Sequence, residues 1–193
     1  DMYKKDDWMN KYFIQKSSDQ LEWFSYELSD EKAVVTMQKY FGCLNQSWGY
    51  VATYEYTVYP CGQVKVHLDA KTVQNGKLEP AFLPRLGVVL RADKSLQNTM
   101  WHGRGAGENY EDTLTACPIG VYKSTVDDMG TNYVFPQENG HREAVRWFSV
   151  GDGKNSMLCT MEAPYGINLS NYTDEMIEKA QHPWQLEKSG DVT

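Results

Sequence analysis

The chain has 193 residues, a length that fits one domain with a sizeable core and is too short for two ordinary domains. Its formal net charge of −7 and its scattered lysines and arginines exclude a typical nucleic-acid binder and predict repulsion from anionic membranes. The aromatic content of 13% favours an all-β domain, and no apolar run approaches the roughly 20 residues of a membrane span.

The first predicted elements in chain order are a short helix and two strands. The segment "KKDDWMNKY" has the spacing of one or two helical turns. The runs "LEWFSYELS" and "KAVVTMQKYF" are rich in β-branched and aromatic residues and therefore predict strands.

Period-two alternation is strongest in the next two runs, "GYVATYEYTVYP" and "VKVHLDAK". Tyr56 and Val58 share one face of the first run, and Val64 and Val66 are predicted to point inward in the second. The turn "PCGQ" separates the two runs. We therefore expect a long antiparallel hairpin with one wet face, on which His67 lies.

Three further strands and one late helix complete the pattern. The strands are "LPRLGVVLRA" and the pair "REAVRWFSV" and "SMLCTMEA", which the turn "GDGKN" joins. The segment "YTDEMIEKAQ" predicts a short helix with Thr173 as its N-cap. Turn formers in "LEPAFLPRLG" mark a corner between strand groups. The whole predicts an all-β fold, an antiparallel β-sandwich with one short late helix, as a single domain over residues 1–193.

The cysteines lie far apart, without a Cys-x-x-Cys pair or a neighbouring histidine; they are Cys43, Cys61, Cys117 and Cys159. This spacing does not support a zinc site, and a chain of this size does not need disulfides for stability. We expect ordinary, partly buried thiols.

The segment "TMWHGRGAGENYEDTL" places Gly103, Gly105 and Gly107 at every second position. A phosphate-binding loop is not supported, because no β-α-β unit surrounds these glycines and the Walker lysine is missing. We expect the glycines to let the backbone pass close to other backbone or to aromatic rings.

The stretch "TNYVFPQENGHREAVRWF" places Glu138 and Asn139 in a turn between Pro136 and Gly140. Glycosidases need two carboxyl groups at a fixed separation, and the sequence does not show which carboxylates converge. The simpler interpretation is a hydrogen-bonded corner that leads into a strand beginning at Arg142.

Four motifs occur in a fixed order: "LPRLG", "WHGRGAGENYEDTLTA", "YVFPQENGHRE" and "INLSNYTDEMIEKAQH". In this order and spacing, the chain resembles the C-terminal domain of bacterial β-galactosidases of the lac type, in glycoside hydrolase family 2. The resemblance covers Leu83 to about His182. The chain departs from the family pattern where Thr113 replaces the usual arginine, so the loop around it is expected to lack that arginine's ion pair and to be looser.

The resemblance implies a partial antiparallel β-supersandwich, related to the galactose mutarotase fold, in a much longer enzyme. The family's two catalytic glutamates lie on a separate barrel, so no catalytic residue, metal site or cofactor is expected in this chain. Any Mg²⁺ or Na⁺ of the parent enzyme is expected at sites outside it.

The resemblance also implies that the chain is an incomplete fragment, with the remainder of the parent β-galactosidase as its partner. Self-association of the fragment through uncovered sheet faces is a further expectation. Neither nucleic acid nor a membrane is an expected partner. The bacterial cytoplasm and the periplasm both fit the resemblance.

The leading functional hypothesis is a structural, substrate-proximal domain of an enzyme that hydrolyses terminal β-D-galactosides such as lactose. This domain would be inactive alone. The second hypothesis is a lectin-like, galactoside-binding module, with Trp48 exposed in a loop. The candidate substrate-binding residues are Trp48, Trp101, Glu138, Asn139 and Arg142.

The third hypothesis is an aldose mutarotase-like enzyme. Mutarotation needs a general acid and a general base across the sugar ring. His102 and His141 with Glu138 are the nominal candidates, although the histidine motifs of mutarotases are not visible in the sequence.

Overall fold

The computed structural model describes residues 4–43, 46–74, 83 and 85–193. Within these residues the secondary structure is mostly β-strand with a few short helices, and every strand pairing is antiparallel. The predicted all-β antiparallel fold is confirmed. The chain divides into two compact units, Asp1–Leu86 and Gly87–Thr193, at the segment predicted as a corner between strand groups. The single-domain interpretation stays a prediction.

The first unit contains one four-stranded antiparallel sheet in the order β1-β2-β3-β4. A π-helical turn at Asp7–Lys11 and a 3-10 turn at Ile14–Lys16 precede it. Its strands are β1 (Ser18–Leu28), β2 (Ala33–Gly42), β3 (Trp48–Val58) and β4 (Val64–Gln74). The predicted hairpin of β3 and β4 is confirmed, and Gly62 supplies the positive φ of +87° that its turn requires.

One face of this sheet is apolar across all four strands. Residues that lie directly opposite each other in antiparallel neighbours share a face, and the register joins Tyr26 to Val35, Val35 to Tyr56 and Tyr56 to Val66. Equivalent rows lie on either side. We call this surface the apolar face; its three rows are Phe24, Met37, Tyr54 and Leu68, then Tyr26, Val35, Tyr56 and Val66, then Leu28, Ala33, Val58 and Val64.

The edges of the apolar face are open to solvent. On β1, Phe24 is 61% exposed, Tyr26 64% and Leu28 73%. Val64 and Val66 on β4 are also exposed, so the prediction that they point into a core is wrong for this chain. Alternation shows which residues share a face, whereas burial depends on what covers that face.

The second unit contains a four-stranded antiparallel sheet in the order β7-β6-β8-β9 and a small two-stranded sheet of β5 and β10. The strands are β5 (Ala92–Asp93), β6 (Asn98–Arg104), β7 (Ile119–Thr125), β8 (Arg142–Gly151), β9 (Ser156–Ile167) and β10 (Asp191–Val192). The helices are α1 (Val126–Met129) and α2 (Asp174–Lys179), with 3-10 turns at Leu114–Ala116 and Pro183–Gln185.

The core of the second unit forms against one face of its larger sheet. The buried side chains are Trp101, Val126, Met129, Val145, Val150, Ile167, Leu169 and Val192. Gly103 and Gly105 allow this packing, because a Cβ on Gly103 would lie 2.7 Å from Val145 and a Cβ on Gly105 would lie 2.6 Å from the ring of Tyr122. The predicted structural role of these two glycines is therefore confirmed.

Two local predictions have opposite outcomes. The hydroxyl of Thr173 accepts a hydrogen bond from the N–H of Met176 at 3.3 Å, which confirms this residue as the N-cap of α2. The strand expected over "LPRLGVVLRA" is not formed, since residues 86–91 have no regular secondary structure and only Ala92 belongs to a strand. Propensity alone does not make a strand, because the backbone also needs a neighbour to pair with.

Candidate functional site

Three loops of the second unit meet at the start of β8. One follows β6, one precedes β8, and one follows β9. The hydrogen bonds between them link residues up to 34 positions apart. We call this region the polar corner; its residues are Glu108, Asn109, Tyr110, Glu138, Asn139, His141, Arg142, Glu143 and Asn168.

His141 lies at the centre of the polar corner. Its Nδ1 is 2.6 Å from Oδ1 of Asn168, and its Nε2 is 2.8 Å from Oε1 of Glu143. The ring stacks on Tyr110, with the two centroids 5.2 Å apart and the planes 16° from parallel. The backbone of Gly166 approaches so closely that a side chain there would overlap the imidazole. Both ring nitrogens are thus engaged within the corner.

Asn168 connects His141 to Glu138. Its Nδ2 donates to Oε1 of Glu138 at 2.6 Å and to the carbonyl oxygen of Asn139 at 2.8 Å. Because both partners of Nδ2 are acceptors, the amide is oriented with Oδ1 toward His141. The hydroxyl of Tyr110 donates to the other carboxylate oxygen of Glu138 at 3.1 Å. Both oxygens of Glu138 therefore have partners, although its side chain is exposed.

Tyr110 is a fixed donor in this network. Burial raises the pKa of Tyr110 above its ordinary value of 10.0, and the negative charge of Glu138 and the hydrogen bond to it act in the same direction. Thr113 closes a turn that begins at Tyr110. Its hydroxyl accepts a hydrogen bond from the Tyr110 N–H at 2.9 Å and donates one to the Tyr110 carbonyl oxygen at 3.3 Å. The side chain of Thr113 thus stabilises a local turn at Tyr110.

Glu108 anchors the loop before β8. Its Oε2 accepts a hydrogen bond from the N–H of Gly140 at 2.7 Å, and its Oε1 accepts one from the hydroxyl of Tyr133. Burial alone would raise the pKa of this carboxyl. Hydrogen bonds from Gly140, Tyr133 and Thr131, together with the charge of Arg142, outweigh burial and hold the pKa below its ordinary value. Glu108 is therefore an ionised acceptor.

Arg142 is a buried cation whose guanidinium binds backbone carbonyl oxygens. It is 3% exposed, and its Nη1 donates to the carbonyl oxygens of Met129 at 3.3 Å, Gly140 at 2.9 Å and His141 at 3.2 Å. Its guanidinium carbon lies 5.3 Å from the ring centroid of Trp101. Burial lowers the pKa of the guanidinium, although the charge of Glu108 opposes this. These hydrogen bonds join the end of α1 to the segment that leads into β8.

The two tryptophans proposed as sugar contacts are both buried. Trp101 is 1% exposed and its Nε1 donates to the carbonyl of Arg104 at 2.9 Å. Trp48 lies in the first unit, where it begins β3 and is 4% exposed, so the expectation of an exposed loop tryptophan is wrong. The rings of Tyr12 and Tyr50 contact it edge-on, with centroids 6.4 and 6.2 Å away. Burial argues against direct sugar contact by either indole or by Arg142.

Asn139 serves the turn in which it lies. Its Oδ1 accepts from the N–H of Thr131 at 2.9 Å, and its Nδ2 donates to the carbonyl of Gln137 at 2.8 Å. Both polar ends of the side chain are therefore used to shape the backbone. Glu138 and Asn139 are brought together with Arg142 in the polar corner, whereas Trp48 belongs to the other unit.

Sequence reasoning missed the structural importance of Asn109 and Asn168. Asn109 is fully buried; its N–H donates to the carbonyl of His141 at 2.9 Å, and its Oδ1 accepts from the N–H of Glu143 at 2.9 Å. Its Nδ2 donates to the carbonyl of Gly107 at 3.0 Å. No local pattern indicates these roles, because the main partners lie on other segments of the chain.

The hydrogen bonds of the polar corner join its three loops to one another. A glycosidase general acid needs a carboxyl group with a raised pKa, and Glu108 shows the opposite shift. His102, the other nominal acid–base residue, lies on β6 with its ring 6.3 Å from that of Trp147 and is not part of the corner. The corner's described polar groups mainly bind one another.

A second polar region of the same unit surrounds a cavity of about 380 Å³. Its lining residues are Lys94, Gln97, Thr125, Asp127, Asn171, Lys188 and Ser189. Gln97 and Asn171 exchange two amide hydrogen bonds of 2.9 and 3.0 Å, and Asp127 accepts from Asn171 at 2.7 Å and from Lys188 at 2.5 Å. In this region, too, polar side chains form hydrogen bonds with one another.

Among residues 4–43, 46–74, 83 and 85–193, no group of three or more His, Cys, Asp or Glu side chains is placed to hold a metal ion. The four cysteines are free thiols, of which Cys43 and Cys117 are buried and Cys61 is exposed. No helix in the described part of the chain has the length and apolar character needed to cross a bilayer.

The antiparallel sheets and the polar corner define an all-β module. The chain belongs to the β-galactosidase small-chain family, whose family model, described as "Beta galactosidase small chain", matches residues 1–193. This match confirms the resemblance deduced from the four ordered motifs.

Curated relatives are named β-galactosidases. The protein from Vibrio cholerae is 35% identical over 125 residues, which cover 65% of this chain and 11% of the relative. The protein from Halalkalibacterium halodurans is 32% identical over 133 residues, covering 68% of this chain and 13% of the relative. The protein from Leuconostoc mesenteroides is 25% identical over 155 residues, which cover 80% of this chain and 14% of the relative. The chain thus spans a small part of the length of each of these relatives.

Proposed function

We propose that this chain is the C-terminal structural domain of a β-galactosidase that hydrolyses terminal β-D-galactosides such as lactose. In this proposal the chain lies near the substrate, contributes no catalytic residue and has no hydrolytic activity alone. Its partner is the remainder of the parent enzyme, which carries the catalytic glutamates and any Mg²⁺ or Na⁺ sites. The fold proposed for the whole domain is the galactose mutarotase-like supersandwich.

The observation that carries the proposal is the match of the small-chain family over all 193 residues. The relatives support it, because each contains the matched region as 11% to 14% of a β-galactosidase. The polar corner supports the non-catalytic role. Glu108 is held ionised, and both oxygens of Glu138 accept hydrogen bonds from neighbouring side chains.

The role that we assign to the polar corner is to hold the loops that follow β6 and β9 against the start of β8. Asn109 and Asn168 carry most of the links between these loops. A rigid scaffold of this kind positions neighbouring loops of an enzyme precisely, which is how residues outside the catalytic centre affect substrate orientation.

The test compares hydrolysis of a chromogenic β-galactoside by two purified proteins. One is the 193-residue chain, and the other is the complete polypeptide encoded by the reading frame that contains it. We expect turnover from the complete polypeptide and none from the chain. Deletion of these 193 residues from the complete polypeptide is expected to abolish turnover.

The controls separate this proposal from its rivals. Turnover by the 193-residue chain that Glu138→Gln abolishes, and that the exposed control Glu187→Gln leaves unchanged, would overturn the proposal. Chemical-shift changes at Glu138 and Asn139 on addition of millimolar galactose would instead favour a galactoside-binding, lectin-like module. Interconversion of galactose anomers by the chain would favour the mutarotase-like alternative.

A further inference from the structure

We propose that Asn139 is a deamidation site of this protein, and that the polar corner suppresses the reaction until the corner opens locally. This site is independent of the proposed function, because it rests on the geometry of one turn. The sequence contains two Asn-Gly pairs, Asn75-Gly76 and Asn139-Gly140. The first pair lies outside the described residues, whereas Asn139 belongs to the polar corner.

The chemistry requires an asparagine and the backbone nitrogen that follows it. An Asn-Gly pair reacts readily, because glycine has no side chain to hinder its nitrogen. The nitrogen of Gly140 loses its proton and bonds to Cγ of Asn139, while the bond from Cγ to Nδ2 breaks and Nδ2 takes up a proton and leaves as ammonia. Water then opens the succinimide ring at either of its carbonyl groups. The products are aspartate and isoaspartate, each with a new negative charge.

The hydrogen bond of the attacking nitrogen opposes this reaction. The N–H of Gly140 donates to Oε2 of Glu108 at 2.7 Å. Loss of this proton would place a negatively charged nitrogen beside an ionised carboxylate, and like charges at short range repel strongly. Burial would raise the pKa of Glu108, but its hydrogen bonds and the charge of Arg142 hold that pKa below the ordinary value, so the carboxylate is a weak base. The closed corner therefore keeps the proton on Gly140.

The side chain of Asn139 and its peptide group are both held in place. Oδ1 accepts a hydrogen bond from the N–H of Thr131 at 2.9 Å, and Nδ2 donates one to the carbonyl oxygen of Gln137 at 2.8 Å. Both partners precede Asn139 in the chain, whereas the attacking nitrogen follows it. The carbonyl oxygen of Asn139 accepts from Nδ2 of Asn168 at 2.8 Å. Because ring closure rotates the side chain and the peptide group toward each other, these bonds must break first.

The burial of Gly140 restricts the turn further. A Cβ at this position would lie 2.9 Å from the carbonyl oxygen of Met129, so the backbone has little room to reorient while the corner is closed. Asn139 itself is partly exposed, and water reaches the turn once the corner opens. Local opening and closing are fast compared with deamidation. The reaction rate therefore follows the population of the open form.

Deamidation makes the opening of the corner irreversible. A carboxylate at position 139 has no donor for the carbonyl oxygen of Gln137, a role that Nδ2 of Asn139 fills. Its negative charge joins those of Glu108 and Glu138 in the same corner. Isoaspartate also lengthens the backbone by one carbon before Gly140, which shifts the N–H that binds Glu108. The modified chain thus does not re-form the closed corner.

Mass spectrometry of tryptic peptides tests the proposal on the complete polypeptide encoded by the reading frame that contains this chain. The peptide of residues 124–142 carries Asn139 together with Asn132, which is the internal control because the side chain of Tyr133 shields the nitrogen that follows it. A synthetic peptide of residues 131–142 gives the rate without the corner. At mildly alkaline pH we expect Asn139 to deamidate about tenfold more slowly, or slower still, in the folded polypeptide, because the open corner is a minor state.

A charge-removing variant tests the part played by Glu108. Glu108→Gln should deamidate at Asn139 about tenfold faster than the wild type, because weakening a hydrogen bond to a charged group populates the open form. The exposed neighbour is the matched control, and Glu111→Gln should leave the rate unchanged. Circular dichroism shows whether each variant folds. If Glu108→Gln does not fold, Tyr133→Phe replaces it; this variant removes only the hydroxyl that donates to Oε1 of Glu108, and a smaller increase is expected.

Several outcomes would overturn the proposal. Equal rates at Asn139 in the folded polypeptide and the synthetic peptide would show that the corner gives no protection. Slower deamidation in Glu108→Gln would identify Glu108 as a base that promotes the reaction. An unchanged rate in the folded charge-removing variant, or an equal increase in Glu111→Gln, would remove the role of Glu108. Aspartate without isoaspartate would exclude attack by the nitrogen of Gly140.

Discussion

Glu108 and Gly140, which are 32 positions apart in the chain, are joined by a hydrogen bond of 2.7 Å from the Gly140 N–H to the Glu108 carboxylate. This bond fixes the turn of the motif "PQENG" to the loop that follows β6. It is one of several hydrogen bonds that join the two loops into a single ordered corner. Because its acceptor is an ionised carboxylate, this hydrogen bond is charge-assisted and stronger than a neutral one.

The first prediction concerns the charge of Glu108. Glu108→Gln keeps the shape of the side chain but removes the charge that strengthens the bonds from Gly140 and Tyr133. Loss of a hydrogen bond to a charged group costs about 1.5 to 3 kcal/mol, so we expect a decrease of that order in the free energy of unfolding. Urea titration provides the measurement. The exposed neighbour Glu111 is the control, and an equal loss in Glu111→Gln would contradict the role of Glu108.

The second prediction is the pH dependence of that difference. The folded-state pKa of Glu108 lies below its ordinary value of 4.5, so its contribution to stability is fully present above the unfolded-state value. It is lost as the pH falls through the lowered folded-state pKa. The difference in unfolding free energy between the wild-type chain and Glu108→Gln should be constant above about pH 5.5, one unit above the unfolded value, and shrink below pH 4.5. A difference that grows on acidification would show the opposite linkage.

The third prediction concerns Gly140. Its φ is +80°, and a Cβ there would lie 2.9 Å from the carbonyl oxygen of Met129. Gly140→Ala combines left-handed backbone strain of about 1 to 2 kcal/mol with this overlap, so it should lower the midpoint of thermal unfolding. Gly190→Ala is the matched control, because a Cβ on Gly190 would have nothing within 4 Å of it. Similar midpoints for the two variants would rule out the strain.

The fourth prediction tests the bridge made by Asn168. Asn168→Asp replaces the Nδ2 donor by a carboxylate oxygen facing Oε1 of Glu138, which now lies 2.6 Å from that donor. We expect a loss of stability at neutral pH, because two like charges meet. The double variant Asn168→Asp with Glu138→Gln should recover part of the loss, since the glutamine amide is able to donate. A double-mutant cycle with no coupling between the two positions would refute the bridge.

Parts of the β-rich regions are predictable from sequence because the residue patterns that specify them lie within a few positions of each other. The hairpin of β3 and β4 and the N-cap Thr173 follow from alternation and capping chemistry within a few residues. The segment 86–91 is not predictable in this way, because its apolar residues suit a strand whereas pairing depends on a neighbour elsewhere in the protein.

The candidate site is predictable in outline and not in detail. The turn around Glu138 and Asn139 is a hydrogen-bonded corner before β8, as expected from the proline, amide and glycine in its sequence. The burial of Trp48 and Arg142 is not predictable, because exposure depends on contacts with distant segments. The same limit applies to Asn168, whose partners lie 27 to 30 positions away.

The long sequence separations within the polar corner also determine when it forms during folding. The bond between Glu108 and Gly140 closes a loop of 32 positions, and the bond between Asn168 and Glu138 closes one of 30. Closing a long loop costs conformational entropy before the contact contributes to stability. Turns between neighbouring residues therefore form earlier. The corner therefore forms later than the local hairpin of β8 and β9, whose strands pair across a short turn. Substitutions in it are expected to accelerate unfolding and to leave the refolding rate nearly unchanged.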